Sequence, residues 1–496
     1  MGAHVKIVLA AAAASALALG AAKAADLPTS KPAPPPPPTS CFASFYNWLS
    51  ASAQDCPLTY MGITVYGQID VGVGYSSHAG DFNRYYNNGV GELIAKYSRG
   101  SQFQLVPNGL SQTNIGIRGN EPLAPGWSLV FDVNTSFDPY SLQISNGPRS
   151  LVENNNVPLQ FQNTNADSSR AGQWDNTRGY VGLSSSAFGT LTVGRETTFS
   201  NDAVFAYDPM SGSYAFSMIG NSSTYVSGVG DTETARYNTS VKYQIAYNNV
   251  RAGALWQFGG YGQGNGSNGA YQFDLGFDYA GFSMDAIYSY AKDAVVLSNY
   301  AANPLPTGVS QDDLKATLAN INGVVLAGKY NFGDFKLFGG YENAHLSNPS
   351  DPYADGFSTL GDYTVLPGAA NATAYTKNKI LQVAWFGAKY ALRPDLDIAA
   401  AYYWAGQNDY TDYAVAGTKP CGPNTTVVAP GYAPQGSNHS SCAGAIQAVS
   451  GMIDWRPYKR LDVYGGVMFS EASGGIASGF LHNTNIAPTA GIRLTF

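Results

Sequence analysis

The chain has 496 residues, only 12% of them charged, 44% hydrophobic, with a formal net charge of -7. That acidic balance argues against a nucleic-acid partner, and no window reaches the ~18 consecutive apolar residues of a membrane helix. Gly (56) and Tyr (34) are abundant, a mixture suited to many aromatic-rich strands joined by polar turns.

In chain order, residues 1–24 read as an export signal. Lys6 opens it, an Ala/Leu-rich run from Ile7 to Ala22 follows, and Ala22-Lys23-Ala24 gives a small-residue cleavage site. Loss of Lys6 and Lys23 takes the formal charge from -7 to -9 (-7 - 2). Residues 25–60 carry Pro34-Pro35-Pro36-Pro37-Pro38, a polyproline spacer that cannot join a sheet ladder, predicted to lie in the periplasm. Phe42 to Ala53 is predicted to form a short helix. After export, the cysteines fall as two local pairs, Cys41 with Cys56 and Cys421 with Cys442. In an oxidising compartment that pattern predicts two disulfides, and it lacks the C-x-x-C spacing of a zinc site.

From 61 to 496 the chain alternates. In Arg236-Tyr237-Asn238-Thr239-Ser240-Val241-Lys242-Tyr243, the residues Tyr237, Val241 and Tyr243 share one face, and Arg236, Asn238, Ser240 and Lys242 the other. A period of two with one apolar face means a strand between water and an apolar phase. The same rhythm runs through Ile63–Tyr75, Thr113–Gly119, Trp127–Phe137, Arg178–Leu183, Gly189–Arg195, Val250–Phe258 and Tyr271–Tyr279. It continues through Phe282–Tyr290, Val324–Phe332, Phe335–Asn343, Ile380–Leu392, Leu396–Trp404, Ala445–Trp455, Leu461–Phe469 and Ile486–Phe496. Connections alternate between tight turns such as Asn248-Asn249 and Gly333-Asp334 and long polar stretches such as Tyr140–Asn176 and Gln407–Ser441. Short turns on one rim and long loops on the other predict an all-β, 16-stranded antiparallel transmembrane β-barrel threaded from the periplasm. A sheet in lipid must have no edge, and sixteen strands leave an aqueous lumen. The terminal Phe496 would anchor the last strand at the membrane–water boundary.

Catalytic signals are thin. His78, His345, His439 and His482 are scattered, and there is no G-x-S-x-G elbow and no H-E-x-x-H helix. Gly264-Asn265-Gly266-Ser267-Asn268-Gly269 matches a dinucleotide fingerprint in letters only, because a strand rather than a helix follows it. No enzyme, metal or cofactor is predicted.

The chain resembles the general diffusion porins of Gram-negative bacteria, particularly those of alphaproteobacteria. The resemblance rests on Asn114–Glu121, on Trp127–Asp132, and on the hairpin Arg178–Leu183 with Phe188–Arg195. Arg236–Tyr243 and the terminal Phe add to it, and together these cover about Met61 to Phe496. It implies an outer-membrane channel for passive diffusion of small hydrophilic solutes and ions, usually a homotrimer, surrounded by outer-membrane lipid and lipopolysaccharide. It also implies a third long loop, Glu196 to Ala235, folded into the lumen. By the family pattern Arg118, Arg178 and Arg236 form a basic wall, with Arg195 and Lys242 beside them. The acids Asp202, Asp208 and Glu196 would stand opposite on the loop. Strand parity independently puts Arg118, Arg178 and Arg236 on the face opposite Ile117, Val181 and Tyr237. The segment Asp208-Pro209-Met210-Ser211-Gly212 departs from the family's acidic loop tip. Two alternatives are a substrate-specific sugar or anion channel, for which Tyr207, Tyr214, Phe216 and Tyr225 are candidate lining aromatics, and a non-conducting adhesin or receptor barrel.

Overall fold

The computed structural model describes residues 40–79, 92–94, 100–137, 139–140, 142, 178–219, 236–258, 269–299, 314–350, 359–360, 363–364, 370–371, 375, 377–410, 443–477 and 482–496. Sixteen strands make one antiparallel ring. They are β1 (Ile63–Ser76), β2 (Asn114–Ala124), β3 (Trp127–Ser136), β4 (Arg178–Ser185), β5 (Gly189–Thr197), β6 (Arg236–Tyr247), β7 (Val250–Gln257) and β8 (Ala270–Tyr279). The ring continues with β9 (Phe282–Asn299), β10 (Leu314–Phe332), β11 (Phe335–Ser347), β12 (Lys379–Arg393), β13 (Leu396–Gln407), β14 (Gly444–Tyr458), β15 (Leu461–Gly474) and β16 (Thr484–Thr495). Each pairs with its sequence neighbour, and β1 pairs with β16 from Gln68↔Thr495 to Gly74↔Thr489. Phe496 completes that seam: its N–H donates to Gly67 O at 2.9 Å and its O accepts from Gly67 N at 3.0 Å. Gly67 leaves room for this, since a Cβ there would lie 2.8 Å from the Phe496 ring and 2.3 Å from Asn114 O.

The ring forms because its strands are two-faced. Ile117, Val133, Val181, Leu275, Leu326, Phe386, Ile453 and Phe469 are exposed on the outer face. Asp132, Lys242, Gln272, Trp385, Tyr403 and Tyr464 are buried on the inner one. At the short-turn rim Tyr330, Phe332, Phe335 and Tyr390 stack in series, with centroids 5.7, 5.6 and 4.4 Å apart, the aromatic girdle of a membrane barrel. The tight turns need left-handed backbone, supplied by Asn248 (φ 51) and Gly281 (φ 86).

Two strands run past the amphipathic stretches read from the sequence. β9 reaches Asn299 and β10 begins at Leu314, with a register shift between Ala291 and Ala294. The ladder persists where the outer face no longer needs to be apolar, so hydrogen bonding outlasts the alternation.

The predicted short helix is α1 (Phe45–Ser50). Cys41 and Cys56 are disulfide-bonded; Cys421 and Cys442 lie outside the described residues. Arg460, in the β14–β15 turn and 1% exposed, holds residues 48–56, the end of α1 and the segment after it. Its Nε donates to Trp48 O at 2.9 Å and its Nη2 to Ser52 O at 3.1 Å and to Cys56 O, while the guanidinium lies 4.4 Å above the Trp48 ring.

Candidate functional site

After β5 the chain turns inward as helix α2 (Phe199–Tyr207) and a compact tail to Ile219. Thr198 caps the helix, its hydroxyl accepting from Asn201 N at 3.3 Å. The first free N–H groups of α2 are satisfied by the wall: Gln272 Oε1 on β8 accepts from Phe199 N at 2.7 Å and from Ser200 N at 3.3 Å. Phe199 packs where Gly253 on β7 has no side chain; a Cβ there would sit 2.3 Å from its ring.

The far end is held as firmly. Tyr207 Oη donates to Asp285 Oδ2 (2.6 Å) and accepts from Arg251 Nη2 (3.0 Å), while Trp385 Nε1 donates to Tyr207 O (3.0 Å). Tyr403 Oη on β13 donates to Asp208 Oδ1 (2.5 Å), and Gly212 N donates to Asp208 Oδ2 (2.7 Å). Further on, Phe216 meets Tyr464 on β15 edge-on at 6.2 Å, and Tyr214 Oη donates to Gln112 Oε1 at 2.5 Å. The loop therefore lies against inward side chains from β7 round to β15. Tyr207 and Phe216 pack it to the wall instead of forming an open aromatic track; Tyr225, with the rest of 220–235, lies outside the described residues.

The inner wall carries acids and bases on neighbouring strands. Arg178 Nε pairs with Asp132 Oδ2 at 3.1 Å, and Tyr66 Oη donates to Asp132 Oδ1. The Arg118 guanidinium lies 4.8 Å over the Tyr66 ring. Lys242, 4% exposed, donates to Asp202 Oδ2 at 2.6 Å and to Thr197 O at 2.8 Å. Arg251 pairs with Asp285 at 2.8 Å and with Asp278. Arg456 holds Asp397 (2.9 Å) and Asp454 (3.0 Å), and Arg493 holds Asp462 (2.9 Å).

Of the residues singled out in sequence, the structure brings Arg118 and Arg178 to one cluster, and Lys242 to Asp202 on α2. Three differ from the expectation. Glu196 is on β5 itself, 4% exposed, and not on the loop. Asp208 does not face the arginines: it is 1% exposed and taken up by Tyr403 and Gly212, and burial pushes its carboxyl above the ordinary range. Arg236 no longer shares a simple alternation with Lys242. A bulge sets Asn238 and Thr239 (φ 48) against Arg195, and pairs Glu196 with Tyr237 and Gly194 with Ser240. Directly opposed residues share a face, so Tyr237, 2% exposed, lies on the face of Lys242 and not with Val241. Arg236 is half-buried at the mouth of β6, its charge within reach of Tyr214; Arg195 is buried beside the bulge.

Sequence reasoning missed Asp132, Arg251, Asp285, Arg456 and Arg493. Their signal was present as parity: Asp132 alternates with outward Val133, just as Arg178 does with Val181.

The sequence profile of a family described as Gram-negative porin matches residues 7–433. An outer membrane porin protein of Bordetella pertussis is 23% identical over 300 residues, 55% of this chain and 62% of the relative. The match thus spans about three fifths of that relative's length. The anion-selective porin from Comamonas acidovorans superposes with a TM-score of 0.53 at 15% identity, covering 88% of this chain and 99% of that one. A trimer form of in-vitro folded OmpT, an outer membrane protein of Vibrio cholerae, gives 0.50 at 12% identity, covering 88% and 99%. At these identities the two structures show a shared fold.

Proposed function

Since the chain belongs to the Gram-negative porin family, we propose that it forms a water-filled outer-membrane channel for passive diffusion of small hydrophilic solutes and ions. Family and fold point to a channel rather than an enzyme, and in this reading the chain has no catalytic role. The carrying observation is the edgeless ring, apolar outside and charged inside. An apolar outer face suits hydrocarbon, and a lining of ion pairs suits only water. In this reading residues 1–24 are the export signal, 25–60 a periplasmic segment, and 61–496 the barrel, set in lipid and lipopolysaccharide. The trimer form of the Vibrio cholerae relative supports a homotrimer here.

In this reading the constriction lies between the inserted loop and the wall cluster Tyr66–Arg118–Asp132–Arg178. Arg118, Arg178 and Lys242 supply its positive charges, and Asp132 and Asp202, each beside one of them, its negative ones. Because each acid is adjacent to a base, the field alternates around the wall rather than crossing the lumen from one pole to the other. Such a lining favours dipolar solutes and disfavours apolar ones. Purified protein in planar bilayers is expected to open in stepwise conductance increments, grouped in threes for a trimer, and liposomes carrying it to swell in an order set by sugar size. A silent bilayer would favour the adhesin or receptor alternative, and saturable sugar entry a substrate-specific channel. The triple variant Arg118→Ser, Arg178→Ser, Arg236→Ser is expected to change conductance and ion preference. Wild-type behaviour of that variant would remove these residues from the constriction.

A further inference from the structure

Arg178, Lys242, Arg251, Arg456 and Arg493 each pair with a carboxylate, but three clustered lysines among the described residues do not. Lys329 on β10, Lys336 on β11 and Lys389 on β12 lie near the short-turn rim. Lys329 shares its strand face with buried Val325 and Ala327. Lys336 shares that of Gly340, where a Cβ would meet the Trp385 ring, and Lys389 that of Gly387, where it would meet Pro209 of the inserted loop. All three therefore point into the lumen. Lys336 and Lys389 are directly opposed in the β11–β12 register, and Lys329 is opposite Phe338, the next inward residue on β11. Directly opposed side chains have Cβ atoms about 5 Å apart, and like charges in that position are destabilising.

The carboxylates that face Lys329 and Lys389 are already committed. Asp285, which faces Lys329 together with Arg251, is bound by Arg251 and Tyr207. Asp397 and Asp454, which face Lys389, are bound by Arg456. Asp208, also near Lys389, is bound by Tyr403 and Gly212. The lysines' own hydrogen bonds go to neutral oxygens: Lys329 Nζ to Ala206 O at 3.4 Å and Lys389 Nζ to Ser211 Oγ at 3.2 Å. An ammonium has three donors, so both have donors to spare, and exposed Lys336 adds more.

We infer that Lys329, Lys336 and Lys389 form a lumenal binding site for a compact polyvalent oxyanion such as phosphate, close beneath the inserted loop. Several oxygens on one small anion match donors from three strands and neutralise the opposed pair, which a single monovalent ion does less completely. The inference deepens the channel reading and rests on it: solutes would meet this site on passing the loop.

The test has two readouts. In planar bilayers in KCl, added inorganic phosphate is expected to lower wild-type conductance in a concentration-dependent way. The variant Lys329→Gln, Lys336→Gln, Lys389→Gln should need at least about tenfold more phosphate. Lys336→Arg should stay close to wild type, as should Lys377→Gln on a distant exposed loop. Calorimetric titration of the detergent-solubilised protein with phosphate should show binding that the triple glutamine variant loses, with heat-modifiable gel mobility confirming that both barrels are folded. Equal phosphate responses in wild type and triple variant, with both conducting, would overturn the site and leave the channel standing. A wild type that binds phosphate through these lysines but never conducts would overturn the channel and leave the site standing.

Discussion

Glu92 has a buried carboxyl, 2% exposed, and neither oxygen has a partner in another of the described residues. Its neighbours are anchored: Asn485 Nδ2 donates to Glu92 O at 2.7 Å and Ile94 N to Ser470 Oγ at 3.0 Å, and Leu93 and Ile94 are fully buried. Burial, with Asp70 adding like charge, raises the Glu92 carboxyl from 4.5 to about 8. A raised acid favours the packed state below its unfolded value, and that contribution is lost as pH rises through the folded one. Packing of 92–94 should therefore weaken progressively between about pH 4.5 and 8. Glu92→Gln should abolish this pH dependence in amide exchange of Leu93 and Ile94, and an unchanged profile would refute the assignment. At this scale sequence alternation identified Arg118 and Arg178 as inward residues. It could not supply their partners, because Asp132 approaches Arg178 through strand register, and register is not written within either strand. The bulge at Asn238–Thr239 was equally hidden: it changes parity without altering composition.

Among the elements, the inserted loop depends on wall residues far away in sequence. Tyr403→Phe removes the hydroxyl donated to Asp208 and leaves a buried carboxylate short of a donor, a loss of about 1–3 kcal/mol. Amides of 208–216 should then exchange faster while those of β13 stay protected, and unaltered loop exchange would show that the hydroxyl is dispensable. Arg460→Ala should likewise free residues 48–56, which it holds through three carbonyls and the Trp48 ring. Limited proteolysis should cut that segment earlier in the variant, with the barrel intact. All sixteen strands were legible in order, since lipid on one side and water on the other enforce a period of two. Their full lengths were not, because β9 and β10 continue where that enforcement ends. The loop's position was legible only through family likeness, since its aromatics and acids carry no periodicity.

For the molecule as a whole, closure is the stabilising feature, and it joins the most distant parts of the chain. Ser77 Oγ and Asn485 Oδ1, 408 positions apart, lie 3.1 Å from each other across the β1–β16 seam. Deletion of 484–496 should leave β1 and β15 with bare edges and abolish the heat-modifiable band on gels, the mobility shift that reports a closed barrel. A truncated protein that keeps the shift would show the ring can close without β16.

The seam also sets a timetable. The first strand leaves the ribosome hundreds of residues ahead of its partner, so its backbone waits in water with one side unmatched. Pairings this remote form slowly, and strands exposed meanwhile invite aggregation. Refolding of the denatured chain should therefore compete with aggregation, and lose more to it as protein concentration rises.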